Sequence, residues 1–194
     1  MNKFVFCFYD LNYTPEFLKS WVGLCNFLNK SNIKFLLTQG QSCNAFYAKQ
    51  MCLGGSVLVG PKQKPFQGRL NYEYLVFLSG DISFTVNDFV SLYTKASKLG
   101  LSFVSAKVKG RYNLGGKFIN NVAIANHTEF DMTLVKRGVF EKLSYPWFKP
   151  HTSKNTKEMN FVDIDICKRL REEAMIDLYV YDNINILKKE VVYG

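Results

Sequence analysis

A single α/β domain built on a central sheet is the fold this sequence predicts, and three observations carry that reading. Apolar runs of strand length alternate with segments of helical spacing through the first half of the chain. One run, Leu75-Val76-Phe77-Leu78, is apolar at consecutive positions and stops at Ser79-Gly80-Asp81, as suits a strand buried on both faces. The 194 residues are enough for one sizeable core, and no repeat, low-complexity tract or interior linker divides them.

The elements follow in order. Residues 4–9 read as a buried first strand. Thr14 then caps a helix that has Pro15 in its first turn, and Phe17, Leu18, Trp21, Leu24, Cys25 and Leu28 give it one apolar face. A second strand at 33–37 runs into a polar loop at 38–44, followed by a helix over 45–53 closed by Gly54-Gly55. Residues 57–59 read as a short strand and 61–68 as a loop. Beyond the central strand, 85–99 forms a helix with Phe89, Leu92, Tyr93 and Ala96 on one side, ended by Gly100. The second half is more mixed: a strand at 101–106, a mobile basic loop over 107–117, strands at 118–125 and 132–135, and a short helix over 137–143. Residues 146–156 are polar and basic and read as a flexible lid, flanked by Trp147 and His151. The last helix is predicted at 163–173 and a late strand at 176–181.

Composition bounds the function. The formal charge of +9 attracts nucleic acid, anionic lipid or phosphorylated small molecules. The cations are spread along the chain, however, and no aromatic-basic RNA signature accompanies them, which argues against a specific nucleic-acid partner. Five scattered cysteines without a CxxC pair point to reduced thiols, and two histidines make a zinc site improbable. No stretch is long and apolar enough to span a membrane, and MNKFVFCFYD lacks the form of a secretory signal, so a cytoplasmic location is expected.

Two carboxylates stand out. In open α/β sheets, ligands bind outside the carboxyl ends of the strands. Asp81 is delivered to that edge, where the bland alternative is a turn residue satisfying backbone donors. Asp163 shares a helix face with Ile166, Cys167, Leu170 and Ala174, which places an acid on an otherwise apolar face. It is there either for use or to complement the helix dipole. Asp165 is expected to point away into solvent.

The phrase at 74–84 (YLVFLSGDISF), the segment VFEKLSYPWFKP at 139–150 and the helix VDIDICKRLREE at 162–173 resemble, in order and spacing, the small GT-A glycosyltransferases of large DNA viruses and phages. The resemblance implies one GT-A (Rossmann-like) domain over residues 1–194, with a central mixed, mostly parallel sheet flanked by helices. The donor half would be about 1–106 and the acceptor half about 107–194. It implies transfer of a sugar from a nucleotide-sugar donor, UDP- or dTDP-linked, to a hydroxyl acceptor such as a glycan, assisted by Mn²⁺ or Mg²⁺. Ser79-Gly80-Asp81 falls on the family's Asp-x-Asp motif, with Asp81 as metal ligand. Asp163 falls on the acid of its helix and so on the general base; beside it Asp131, between Phe130 and Met132, is a weaker candidate for holding acceptor hydroxyls, with a surface role as the alternative. Donor contacts are expected from Tyr9, Asp10, Asn12, Thr38, Asn44, Ser79 and Gly80, although Tyr9 suits a core as well. Two departures stand beside this. Serine replaces the first motif acid, and around 184–189 there is no late histidine but Lys188 and Lys189, either of which can replace part of a metal's charge. The competing classes are a non-enzymatic nucleotide or nucleic-acid binder and a transferase fold that has lost turnover.

Overall fold

The computed structural model describes residues 2–108, 121–150 and 162–188. The chain runs β1 (Asn2–Phe8), α1 (Pro15–Lys30), β2 (Phe35–Gln39), α2 (Ala45–Cys52), β3 (Tyr72–Leu78), β4 (Ile82–Ser83), α3 (Val86–Leu99), β5 (Phe103–Val108), β6 (Val122–Ile124), β7 (Met132–Lys136), α4 (Val162–Glu172) and β8 (Tyr179–Lys188). Short 3₁₀ turns at Pro65–Gly68 and Phe140–Lys142 interrupt the connections. The strands form one eight-stranded sheet in the order β2-β1-β3-β7-β5-β8-β4, with β6 pairing β8 off that path.

The architecture is α/β with a mixed sheet. Pairing is parallel across β2-β1-β3 and between β5 and β8, and antiparallel at β3–β7, β5–β7, β4–β8 and β6–β8. The parallel share is therefore smaller than the sequence predicts, because β7 enters reversed between β3 and β5. Alternate side chains feed two cores. Phe4, Phe6 and Phe8 of β1 meet Phe17 and Leu24 of α1 and Phe89 of α3 on one face. Val5, Cys7 and Tyr9 meet Phe46 of α2 and Ile166 of α4 on the other. The first face is held by edge-on aromatic contacts, Phe4 to Phe89 at 5.2 Å and Phe6 to Trp21 at 4.9 Å between ring centres. β3 is buried on both faces, as its unbroken apolar run requires.

Several boundaries differ for physical reasons. Residues 57–59 are a turn and not a strand, because Gln63 and Ser56 close that segment on itself. The 137–143 helix shrinks to a 3₁₀ turn. The late strand runs on to Lys188; Asp182 and Asn183, exposed beside a register shift against β5, hide its alternation in the sequence. The start of the expected lid is core: Trp147 and Phe148 are buried and pack with Tyr145 and Phe140. Residues 151–156 of the lid, with His151, and most of the basic loop at 107–117 lie outside the described residues. Asp165 is buried, contrary to its expected exposure. Among the described residues no helix is long and apolar enough to cross a membrane.

Candidate functional site

Strand direction decides which side chains meet. β1 and β3 run parallel, so Tyr9 and Asp10 after β1 reach the same sheet edge as Ser79, Gly80 and Asp81 after β3. β7 is antiparallel to β3, so the residues that precede it, Glu129 and Asp131, arrive at that edge too. β8 runs parallel to β5, which itself runs with β3, so its last residue, Lys188, completes the group.

A close approach locks the centre of the site. A Cβ on Gly80 would lie 2.4 Å from the Asn12 carbonyl oxygen and 2.7 Å from the Tyr13 ring, so only glycine fits there. The Gly80 carbonyl accepts from the Thr14 N–H at 2.8 Å, and its own N–H donates to Asp10 Oδ2 at 2.6 Å. Ser79 Oγ lies 2.9 Å from Asp10 Oδ2 and 2.7 Å from Asp81 Oδ1. A hydroxyl carries one proton, so it donates to one of these acids at a time. Burial raises the proton affinity of Asp10, and the Gly80 and Ser79 hydrogen bonds only partly offset it. Asp10, Asn12, Ser42, Cys43 and Asp81 line a cleft of about 320 Å³ over this point.

The second cluster surrounds an ammonium. Lys188 Nζ is 2.6 Å from Asp131 Oδ1 and 3.6 Å from both Asp81 Oδ2 and Glu129 Oε2. Burial works against its charge, but Asp131, Asp81 and Glu129 outweigh that, and its affinity for the proton is raised. Asp131 is pushed up to about 7, first by burial, then by its contact with the Glu129 carboxyl, with Lys188 pulling the other way. Its Oδ2 is buried without a hydrogen-bond donor.

Asp163 is placed differently. Its Oδ1 ion-pairs with Lys49 Nζ and its Oδ2 accepts from the Phe130 N–H at 3.2 Å, so both oxygens are engaged. Lys49 is 4% exposed and lies 4.6 Å from the centre of the Tyr9 ring. Tyr9 both borders the polar cleft and packs into the core on this face, where its hydroxyl donates to the Phe130 carbonyl at 2.9 Å. Two expected donor contacts lie away from the cleft lining. Thr38 Oγ1 donates to the Phe6 carbonyl at 3.2 Å within the sheet. Asn44 caps α2, accepting from the Phe46 and Tyr47 N–H groups, and borders a separate apolar groove. Lys49 and Glu129 were not among the sequence candidates. The signal for Lys49 is a cation on the α2 face that also carries Phe46 and Cys52; Glu129 has none beyond its spacing of two from Asp131.

Among the described residues no three Asp, Glu, His or Cys side chains form a ready-made metal cage. The donor chemistry nevertheless suits a hard cation that brings other ligands with it. Asp81, Glu129 and Asp131 lie within 4 Å of the Lys188 ammonium, and Asp10 stands beside Asp81 across the Ser79 hydroxyl.

No protein-family model matches the sequence, and no curated protein matches it. Among solved structures, the chain resembles A197 from STIV, a virus protein, with a TM-score of 0.58 at 15% identity; the match covers 98% of this chain and 86% of that one. The likeness is one of fold.

Proposed function

We propose that the chain is a glycosyltransferase that moves a sugar from a nucleoside diphosphate, UDP or dTDP, to an acceptor hydroxyl, for instance of a glycan. One observation carries this reading: four strand ends bring Asp10, Ser79, Gly80 and Asp81 together with Asp131 and Lys188 at the sheet edge where ligands of α/β proteins bind. Carboxylates at the floor of a polar cleft are good acceptors for sugar hydroxyls. The same carboxylates repel a diphosphate unless a cation comes with it.

Mg²⁺ and Mn²⁺ bind through one or two carboxylates plus phosphate oxygens and water, and so fit a site that lacks a complete cage. Asp81, with Asp10 beside it, is the pair that would hold such an ion. When bound, it would offset the charge that develops on the leaving diphosphate. Lys188 adds a fixed positive charge at the same edge. As the acceptor oxygen bonds to the anomeric carbon, the bond to the diphosphate breaks and the acceptor proton must leave. We assign that role to Asp131, which stands at the same sheet edge as Asp81, in preference to Asp163, whose oxygens are both engaged. Asp163 then positions Lys49 and the Phe130 backbone.

The test is thermal unfolding with UDP, dTDP and their sugars, with and without Mn²⁺ or Mg²⁺. Nucleotide and metal together are expected to stabilise by about 2.7 kcal/mol at a hundred times the dissociation constant, and each alone by much less. Indifference to every pair refutes the reading. Stabilisation without release of free UDP or dTDP, from any sugar donor and any acceptor tried, reduces the chain to a nucleotide binder.

A further inference from the structure

The second cavity belongs to no part of this chemistry. A groove of about 500 Å³ lies beside α2, lined among others by Phe46, Tyr47, Val57, Pro61, Tyr145 and Phe148. α2 begins between the two cavities: Ala45 lines the polar cleft, and Asn44, Phe46 and Tyr47 line the groove. At the groove's rim the chain presents Val57, Leu58 and Val59, which are 62%, 92% and 49% exposed.

This tip is built rather than loose. Gln63 is buried, and its amide donates to the Ser56 carbonyl at 2.7 Å and the Gly60 carbonyl at 2.8 Å while accepting from the Ser56 N–H at 2.9 Å. The Val59 N–H closes on the Ser56 carbonyl, and the Pro61 carbonyl accepts from the Tyr145 N–H at 3.1 Å. Behind the tip, a Cβ on Gly55 would lie 2.9 Å from the Tyr145 ring and 3.0 Å from the Trp147 ring, so the loop is seated directly on the core. A buried amide thus spends its hydrogen bonds on holding three aliphatic side chains out in water, an arrangement that folding alone does not favour.

The loop that carries the tip is basic. The sequence contains no acid between Glu16 and Glu73, while Lys62, Lys64 and Arg69 are exposed there and Lys149 lines the groove. An aliphatic tip on a basic loop, beside an apolar groove with Lys149 in its lining, is complementary to an interface with acyl chains beneath anionic headgroups.

We propose that this face docks the protein on an anionic lipid bilayer, with Val57, Leu58 and Val59 entering the acyl region, a lipid hydrocarbon chain taking the groove, and Lys62, Lys64, Arg69 and Lys149 meeting the headgroups. The docking does not depend on the transferase reading, and its test uses no nucleotide. The full chain is sedimented with vesicles of phosphatidylcholine alone and of phosphatidylcholine with phosphatidylglycerol. Binding is expected only to the anionic vesicles and weakens as salt rises. Leu58→Asp, at an exposed position, keeps the melting temperature and reduces the bound fraction roughly tenfold or more. Lys62→Gln with Lys64→Gln reduces it by about 25-fold, at roughly fivefold per charge. In Leu58→Trp the indole emission shifts to the blue on anionic vesicles and is quenched by brominated acyl chains. Equal binding to neutral vesicles, no binding at all, or full binding by Leu58→Asp overturns the proposal. So does a dimer in solution that Leu58→Asp dissolves and that vesicles do not displace, since the face would then join two copies of the chain.

Discussion

Replacing Asp131 by asparagine separates the two consequences of its burial, because the amide keeps the shape and cannot ionise. In the folded protein Asp131 is pushed from 3.8 up to about 7, chiefly by burial. A carboxyl whose folded pKa lies above its unfolded one stabilises fully below the unfolded value, and this contribution is lost as pH rises through the folded value. The window here is therefore from about pH 4 to just above pH 7. A shift of about three units at 1.36 kcal/mol each is worth about 4 kcal/mol at most. Asp131→Asn has no such dependence. It loses the contact with Lys188, but that ammonium keeps Asp81 and Glu129 at 3.6 Å. The variant is thus expected to be less stable than the parent at pH 5 and to gain on it steadily to pH 8. Between pH 5 and pH 8 about two of those units are lost, so for a chain of this length the gain is about 5–10 °C in relative melting temperature, at roughly 2–4 °C per kcal/mol. The assay is thermal unfolding of both proteins across that range, with the other titrating groups common to both. A difference that stays flat with pH refutes the raised affinity of Asp131.

Three further outcomes follow from the geometry. Asp163→Asn leaves Lys49 as an uncompensated buried cation and should cost about 3–5 kcal/mol in denaturant unfolding, with Lys49→Met in the same chain restoring much of it; an unchanged midpoint would mean that the pair is solvated. Gly80→Ala drives a methyl into the Asn12 carbonyl and the Tyr13 ring, and should destabilise by about 1–3 kcal/mol and weaken nucleotide binding together. Cys43 is exposed and lines the polar cleft, so its alkylation, followed by mass spectrometry, should slow when UDP and Mn²⁺ are present, while Cys25 reacts as before; equal rates at Cys43 would place the nucleotide elsewhere.

What the sequence reveals depends on how local the cause is. Thr14 caps α1 and Gly100 ends α3 in the left-handed conformation because capping is settled within a turn of the chain. β3 is legible because burial on both faces demands an unbroken apolar run. Asp10, Asn12 and Asp81 are placed at the cleft by strand ends alone. The rest comes from long-range partners. Asp163 reads as a lone acid on an apolar face because Lys49, which neutralises it, stands 114 positions away. Asp131 gives no sign of burial, since Lys188 is 57 positions off on a strand whose polar residues mask its alternation. Thr38 and Asn44 look like cleft residues by position, but a cross-strand bond to the Phe6 carbonyl claims the first and the cap of α2 the second.

The reversed strand is the step on which the site depends. Had β7 run parallel to β3, Glu129 and Asp131 would lie at the opposite edge of the sheet, a strand length from Asp81. Antiparallel pairing instead puts the residue before β7 against the residue after β3, and the Ser79 N–H donates to the Asp131 carbonyl at 2.8 Å. That backbone bond fixes the spacing between two acids from distant parts of the chain without using either side chain. Both carboxylates remain available to Lys188, which arrives on β8 from the far side of β5. A cluster of like charges is unstable alone, and so is a half-buried ammonium. Joined here they stabilise one another.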